Sequence, residues 1–383
     1  MGAWGSRAAF TPLLLSCYGI TILLHFATVS LNTLVPFHLV DLGGSRTQIG
    51  LAFSMATLAA MGLRPMVGGW VDRYGARRVV VPGVIVLGIT SLGLHAAHSP
   101  TVLIVMMAGL GISAALISTP ASVVSATHSE SAHRGEAIGT YYLASSIAIA
   151  VGAPLGFGVR ALGGMTLEFV MLTVLALAIA TLVPWMPGRA DARRGAGGPG
   201  WRFVSVSALP ISGALVLATL GQSSIYGFVP LYALGRGQGA ALAAFFTVYP
   251  VCLTVGRALL RGLPDRIGHG RAALAAMALS AVAFACLALP PSMVTLCAAG
   301  ALLGAGGAVM YPALVALVVA RADESDRGLA VGTLSGSWDL GIVVGSAVVG
   351  VVADHVGFAA AFGIGAVGCA LGCIALTACG VRR

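Results

Sequence analysis

The chain has 383 residues, 58% of them hydrophobic and 9% charged, with a formal net charge of +9. A soluble domain carries about 25% charged residues, so a soluble surface cannot be built from this sequence and the chain reads as an integral membrane protein. The positive charge does not point to nucleic acid, because the basic residues, all Arg, sit on short stretches between apolar runs.

A bilayer-crossing helix takes about 20 apolar residues. Twelve runs suit that role, near 13–39, 49–70, 79–97, 102–125, 137–162, 166–186, 206–232, 241–263, 272–290, 293–319, 329–353 and 358–379. The first lacks a short apolar core with a cleavage site, so it reads as a span rather than a removable signal. The opening MGAWGS fits a myristoylation pattern, which we read as chance. The runs are continuous, unlike the alternating ten-residue segments of a β-barrel. The 53 Gly suit close helix packing in lipid. All seven Cys lie in apolar runs and read as packing thiols. No metal site and no cofactor are expected.

With the N-terminus in the cytoplasm, sixteen of the 21 Arg fall on cytoplasmic stretches. Arg46, Arg160 and Arg236 fall outside, and Arg64 and Arg257 lie within spans. The positive-inside rule then puts both termini in the cytoplasm.

The chain repeats itself. Asp72-Arg73-x-Gly75 returns as Asp265-Arg266-x-Gly268, Arg64 as Arg257, and RGEAIGT (134–140) as RGLAVGT (327–333), each 193 residues on. VPFH (35–38) returns as VPLY (229–232) at 194. The expected fold is an all-α membrane protein of twelve transmembrane helices in two pseudo-symmetric six-helix bundles. The bundles would span 1–186 and 206–383, joined by a Gly/Pro/Arg-rich cytoplasmic linker at 187–205. An even number of spans per copy makes the repeats parallel, about an axis along the membrane normal.

The segment Gly68-x-x-x-Asp72-Arg73-x-Gly75-x-Arg77-Arg78 resembles the signature between the second and third helices of the major facilitator superfamily, and the resemblance covers essentially the whole chain. GSWDLGIVVGSAVVGVVAD (336–354) and AVMYPALVAL (308–317) resemble, more loosely, bacterial sugar- or drug-efflux exporters. The resemblance implies a cytoplasmic gate in which Asp72 meets the start of the eleventh helix, near Arg327 to Gly332. By symmetry Asp265 would meet the start of the fifth, near Arg134 to Gly139. The loop chemistry fits such a role. Gly68 and Gly69 would admit a close neighbour, and Asp72 would face a partially positive helix N-terminus. Arg73 would orient it, Gly75 would make the reversal, and Arg77 and Arg78 would hold the cytoplasmic surface. Arg266 and Gly268 repeat this. The plainer alternative is a charge that only sets topology.

Asp339 reads as the one acidic residue deep in a span, where a charge costs about 2.5–3.5 kcal/mol. It is the leading proton or substrate site, or else a structural Asp bonded to a neighbouring helix. Trp338 stands beside it. His25 is either a proton relay or a satisfied histidine between helices. Asn32 and Gln222 are candidate cavity donors, and Tyr141, Tyr142 and Tyr226 candidate lining. Arg64 and Arg257 read as ties between helices.

GAPLGFG (152–158) resembles, imperfectly, the Gly-Pro motif that exporters carry on the fifth helix, whereas the Arg they often carry in helix four is absent. These features lead to an expected exporter of small organic molecules that works by alternating access, coupled to protons, in a bacterial cytoplasmic membrane. A sparsely charged cavity suits neutral or amphipathic substrates. The alternative is an importer or facilitator of a sugar-like or organic-acid nutrient. A membrane protein without transport activity lacks any supporting domain. An enzyme or an ATP-driven pump is not expected, since no Ser-His-Asp set, metal cluster or phosphate loop stands out. The partners are a small-molecule substrate, protons and lipid, with no nucleic acid.

Overall fold

The computed structural model describes residues 11–127, 134–188, 204–260, 262–323 and 326–380. Among them there is no strand. Helices follow one another as α1 (Pro12–Asp41), α2 (Arg46–Tyr74), α3 (Ala76–His95), α4 (Pro100–Thr127), α5 (Arg134–Leu182), α6 (Leu209–Thr219), α7 (Ser224–Gly227), α8 (Val229–Leu234), α9 (Gly239–Leu259), α10 (Leu263–Ile267), α11 (His269–Ala288), α12 (Met293–Arg321), α13 (Arg327–His355) and α14 (Phe358–Ala378). Among the described residues, eleven stretches are long and apolar enough to cross a membrane.

Three places differ from the sequence reading. The run at 137–162 and most of that at 166–186 are in α5, and the 43-residue apolar stretch Leu143–Trp185, which passes just beyond its end, has residues for about 65 Å of helix, enough for two crossings. What separates them is no loop but two glycines with non-helical dihedrals, Gly163 (φ −149°, ψ 15°) and Gly164 (φ 65°, ψ −158°). The run at 206–232 is not one helix. It stops at Thr219, turns through Gly221 to Ser223, and resumes as α7 and α8 around Phe228 (φ −121°). Pro230 opens α8, where its missing N–H costs nothing. The run at 241–263 ends early, and Asp265 and Arg266 sit on the separate one-turn α10.

The helix starts have local causes. Ser45 and Gln48 form a reciprocal cap at the head of α2: Gln48 N–H donates to Ser45 Oγ (3.2 Å) and Ser45 N–H to Gln48 Oε1 (2.9 Å). Ser292 and Thr295 do the same for α12.

By contacts the chain forms two compact units. The first takes the chain up to Leu34 and from Met55 to Gly198. The second takes Val35–Ser54 and everything from Pro199 on. The C-terminal end of α1 and the N-terminal part of α2 thus belong with the second unit. In the first, α3 packs on α4 and α5. Backbones come close at small residues: a Cβ on Gly83 would meet Leu116 Cβ at 2.8 Å, and one on Gly152 would meet Val29 Cβ at 3.0 Å. In the second, α12 packs on α9 and α11, and α14 on α11 and α6. Its core holds Phe228, Phe245, Phe246, Phe284 and Phe362, all fully buried.

The sequence repeat is also a backbone repeat. The helix starts Arg46 and Gly239, Ala76 and His269, Pro100 and Met293, and Arg134 and Arg327 keep the 193-residue spacing. So do the left-handed glycines. Gly75 (φ 86°) pairs with Gly268 (φ 92°) and Gly164 (65°) with Gly357 (112°), while Gly43 (77°) pairs with Gly237 (70°) at 194.

Candidate functional site

The 68–78 segment has almost no loop. α2 runs to Tyr74, α3 begins at Ala76, and Gly75 (φ 86°, ψ 151°) makes the whole reversal. Gly268 (φ 92°, ψ 138°) does the same before α11. Those dihedrals are open to Gly almost alone, so the expected role of both glycines has its physical cause here. A Cβ on Gly68 or Gly69 would meet nothing within 4 Å in this conformation. The side chain of Asp72 lies outside the described residues, as do those of Arg134 and Tyr142. Arg73 lies with its guanidinium 5.3 Å from the Tyr74 ring.

Arg77 is exposed and bonds the chain that follows α5. Its guanidinium donates to Pro184 O, and its backbone N–H donates to Pro187 O (3.1 Å), which fixes the beginning of the 187–205 segment. The other end is fixed too. Ser205 N–H donates to Thr333 Oγ1 (2.8 Å), and Ser205 Oγ donates to Asp326 (2.5 Å). Arg78, Arg266 and Arg327 are exposed. Asp265 is exposed as well and lies 3.8 Å from His269 one turn on.

Inside the first unit, His25 is engaged at both ring nitrogens. Nδ1 lies 2.9 Å from Thr21 O and Nε2 3.1 Å from Ser145 Oγ. A carbonyl only accepts, so Nδ1 carries the hydrogen and, in the neutral ring, Nε2 accepts from the serine. His25 therefore ties α1 to α5, with the Arg64 charge within electrostatic reach. Asn32 is half-buried, and its shielded Oδ1 has no hydrogen-bond partner. Tyr141 is buried and donates to Ser118 O (3.3 Å). It joins α5 to α4.

Inside the second unit, Asp339 is buried at 5% exposure. Beside it, Trp338 stands edge-on to Tyr311 (5.5 Å), whose hydroxyl lies 2.7 Å from Ser335 Oγ. This cluster joins α12 to α13. Tyr226 stacks on Phe246 (6.0 Å), and its hydroxyl faces that of Tyr249. Gln222 sits half-buried in the break between α6 and α7.

Two acidic positions carry more than the sequence reading assigned them. Asp354, at the end of α13, caps α2. Its carboxylate accepts from the backbone N–H of Arg46 (3.2 Å), the N–H of Thr47 (3.1 Å) and the Thr47 hydroxyl (2.7 Å). These are the first N–H groups of α2, which no helix supplies with partners, and they are the ones the Ser45–Gln48 pair leaves over. Arg46 reaches back, donating to Ala353 O (2.6 Å) and covering the Phe358 ring at 4.2 Å. One turn further in, Gly50 and Gly350 touch backbone to backbone; a Cβ on Gly350 would lie 3.0 Å from Gly50 Cα.

Glu168 is the second. It is fully buried, so Asp339 is not alone among the acids deep in the structure. It escaped the sequence reading because it stands two residues inside a run and looks like a loop-edge charge. The signal available was its place next to Phe169, whose counterpart 193 residues on is Phe362, preceded by Ala361 rather than an acid.

Comparison with known proteins adds the family. Residues 17–293 and 212–382 match the family model described as Major Facilitator Superfamily. An uncharacterized MFS-type transporter of Burkholderia pseudomallei (strain 1106a) is 27% identical over 347 residues, covering 87% of this chain and 83% of its own length. One of Salmonella typhimurium (strain LT2) is 27% identical over 345 residues, covering 87% and 86%. Among solved structures, a variant of the nucleoside transporter NupG superposes with a TM-score of 0.78 at 17% identity, covering 96% of this chain and 99% of the other. The human organic anion transporter MFSD10 (TETRAN) gives 0.67 at 17% identity, covering 95% and 99%. At that identity the likeness is one of fold.

Proposed function

Because the chain belongs to the major facilitator superfamily and is a multi-pass membrane transporter, we propose that it exports small organic molecules by alternating access, driven by the proton gradient. Its two repeats, 1–186 and 206–383, would carry out the motion, with both termini in the cytoplasm of a bacterial cell. The segments holding Gly68, Asp72, Arg73, Gly75, Arg77 and Arg78, and Asp265, Arg266 and Gly268, with Arg134 and Arg327, act as its cytoplasmic gate. Asp339 is the proton or substrate group of the second repeat, with Trp338 beside it. Asn32, Gln222 and Tyr226 contribute polar and aromatic contacts. The sparse charge fits neutral or amphipathic substrates better than strongly charged ones.

The observation that carries export is the exporter-like 152–158 segment and its place against α1. The small residues Gly152 and Gly156 face Val29 and Ser30 so closely that a Cβ has no room, the tight contact such a motif serves. The second reading is import or facilitation of a sugar-like or organic-acid nutrient. The likeness to NupG and MFSD10, named as nucleoside and organic anion transporters, favours it only through the fold. Deleting the gene tests direction. Export predicts heightened sensitivity to at least one compound of a broad toxic panel, restored by the wild-type gene but poorly by Asp72→Ala. Unchanged sensitivity across the panel would favour import.

A further inference from the structure

We propose that Glu168 is a proton-binding site of the first unit, a carboxyl that holds a proton in the conformation seen here and exchanges it during the transport cycle. The inference deepens the proton-coupled reading above and rests on it.

Glu168 has 0% exposure. It stands in the first turn of α5 beyond the Gly163–Gly164 break, within an apolar membrane-crossing stretch. Neither carboxylate oxygen has a hydrogen-bond partner. The polar side chain facing it is Ser30 on α1, whose Oγ is likewise without a partner. Ser30 also packs against Gly156 of α5, where any side chain would strike its hydroxyl. The three residues form one packed contact between α1 and the two limbs of α5.

Among the described residues, no charged group is hydrogen-bonded to the carboxylate. The neighbouring elements carry few candidates. The first-unit part of α1 offers Cys17, Tyr18 and His25, the last committed to Thr21 and Ser145, and His38 and Asp41 lie beyond it on the same helix. α3 has the exposed His95 against the Phe169 ring (6.2 Å) and Arg77 and Arg78 at its far end. α4 has no ionisable side chain among its described residues. The first-unit part of α2 adds Arg64, Arg73 and Tyr74, and α5 itself Tyr141 and Arg160 before the glycine break; the side chains of Asp72, Arg134, Glu136 and Tyr142 lie outside the described residues. Among the described residues, the side chain that bears on Glu168 is Ser30. An ionised carboxylate stripped of water, hydrogen bonds and counter-charge is several kcal/mol too costly to persist, at about the level of insertion penalties for central charges. The neutral acid is not. Its O–H needs one acceptor, and the Ser30 hydroxyl is the group placed to serve.

The second unit supplies a natural comparison. At the position 193 residues on it has Ala361, also fully buried, followed by Phe362 as Glu168 is followed by Phe169. The fold therefore accepts an apolar residue at this place, and the acid belongs to the first copy alone. Movement of α5 against α1 would admit water, and with it the charged form. The proton count of the site thus follows the conformation, the requirement for coupling by population shift.

The test uses the full chain in lipid vesicles. Infrared difference spectra across a pH step read the protonated carboxylic C=O stretch without any substrate. The wild type should show a band that Glu168→Gln lacks and Asp339→Asn retains. If the wild-type-minus-Gln difference contains no such band, the proposal is overturned. The second arm applies a pH gradient to the same vesicles and a library of neutral and amphipathic compounds. Wild type should accumulate at least one of them, and Glu168→Gln should lose that accumulation while retaining equilibrium exchange. Gradient-driven accumulation by Glu168→Gln equal to the wild type overturns the inference and leaves proton-driven transport standing. A wild type that moves nothing under a gradient overturns the proton-driven reading itself and the coupling role with it. Should Gln insert poorly, Glu168→Ala, the residue type of Ala361, replaces it in both arms.

Discussion

Asp354→Ala removes a cap supplied to α2 by another helix, and the geometry sets the size of the effect. The carboxylate accepts two backbone N–H groups at the head of α2 and the Thr47 hydroxyl. Losing an N-cap acceptor costs about 0.5–2 kcal/mol. The site is exposed, so screening by solvent holds the charge contribution to the lower part of that range, and we take about 1 kcal/mol. That is about a fivefold shift in an opening equilibrium. The assay is amide hydrogen exchange of the full chain in vesicles, read on peptides covering residues 43–50. Arg46 and Thr47 should exchange about fivefold faster in the variant. Gln48 should change least, because its N–H donates to Ser45 Oγ (3.2 Å) and not to Asp354. Unchanged rates at Arg46 and Thr47 would show that the carboxylate does not hold the head of α2, and the reasoning would fail.

Three further predictions rest on backbone geometry and burial. Gly75→Ala should lower thermal stability by about 1–3 kcal/mol, the cost of a side chain in a glycine-only region, and Gly268→Ala should do likewise. Gly68→Ala, inside α2 with open space around it, should instead gain about 0.5–1 kcal/mol. If Gly68→Ala is more stable yet turns over more slowly, Gly68 meets a neighbour in another conformation; wild-type turnover would end its assignment to the gate. Asp339→Asn should abolish gradient-driven transport and leave counterflow, and full driven activity in that variant would remove Asp339 from coupling.

Most of the helices were legible because a membrane imposes one rule on composition: twelve apolar runs of sufficient length. The repeat was legible because Asp72-Arg73-x-Gly75 and RGEAIGT recur, and the same spacing reappears in the left-handed glycines. What escaped depends on partners distant in sequence. Asp354 carries no local signal, since nothing near it in sequence says that Arg46, 308 residues away, offers it a free N–H. Glu168 looked like the rim of a span because burial at a helix end is decided by which helix covers it, here α1 through Ser30. His25 was readable as a polar group in an apolar run, but its role as a tie required Ser145, 120 residues on. The break in 206–232 had local signals, Gly221, Gly227 and Pro230, which the apolar count outweighed.

The central claim is uphill movement of an organic solute coupled to protons by this chain alone. Its most direct measurement is solute flux in vesicles containing only the purified protein, with a pH gradient imposed and then collapsed by a protonophore. The account predicts at least one neutral or amphipathic compound concentrated against its gradient, with that gradient lost on collapse. Flux that only ever equalises concentrations, with or without the pH gradient, would contradict it.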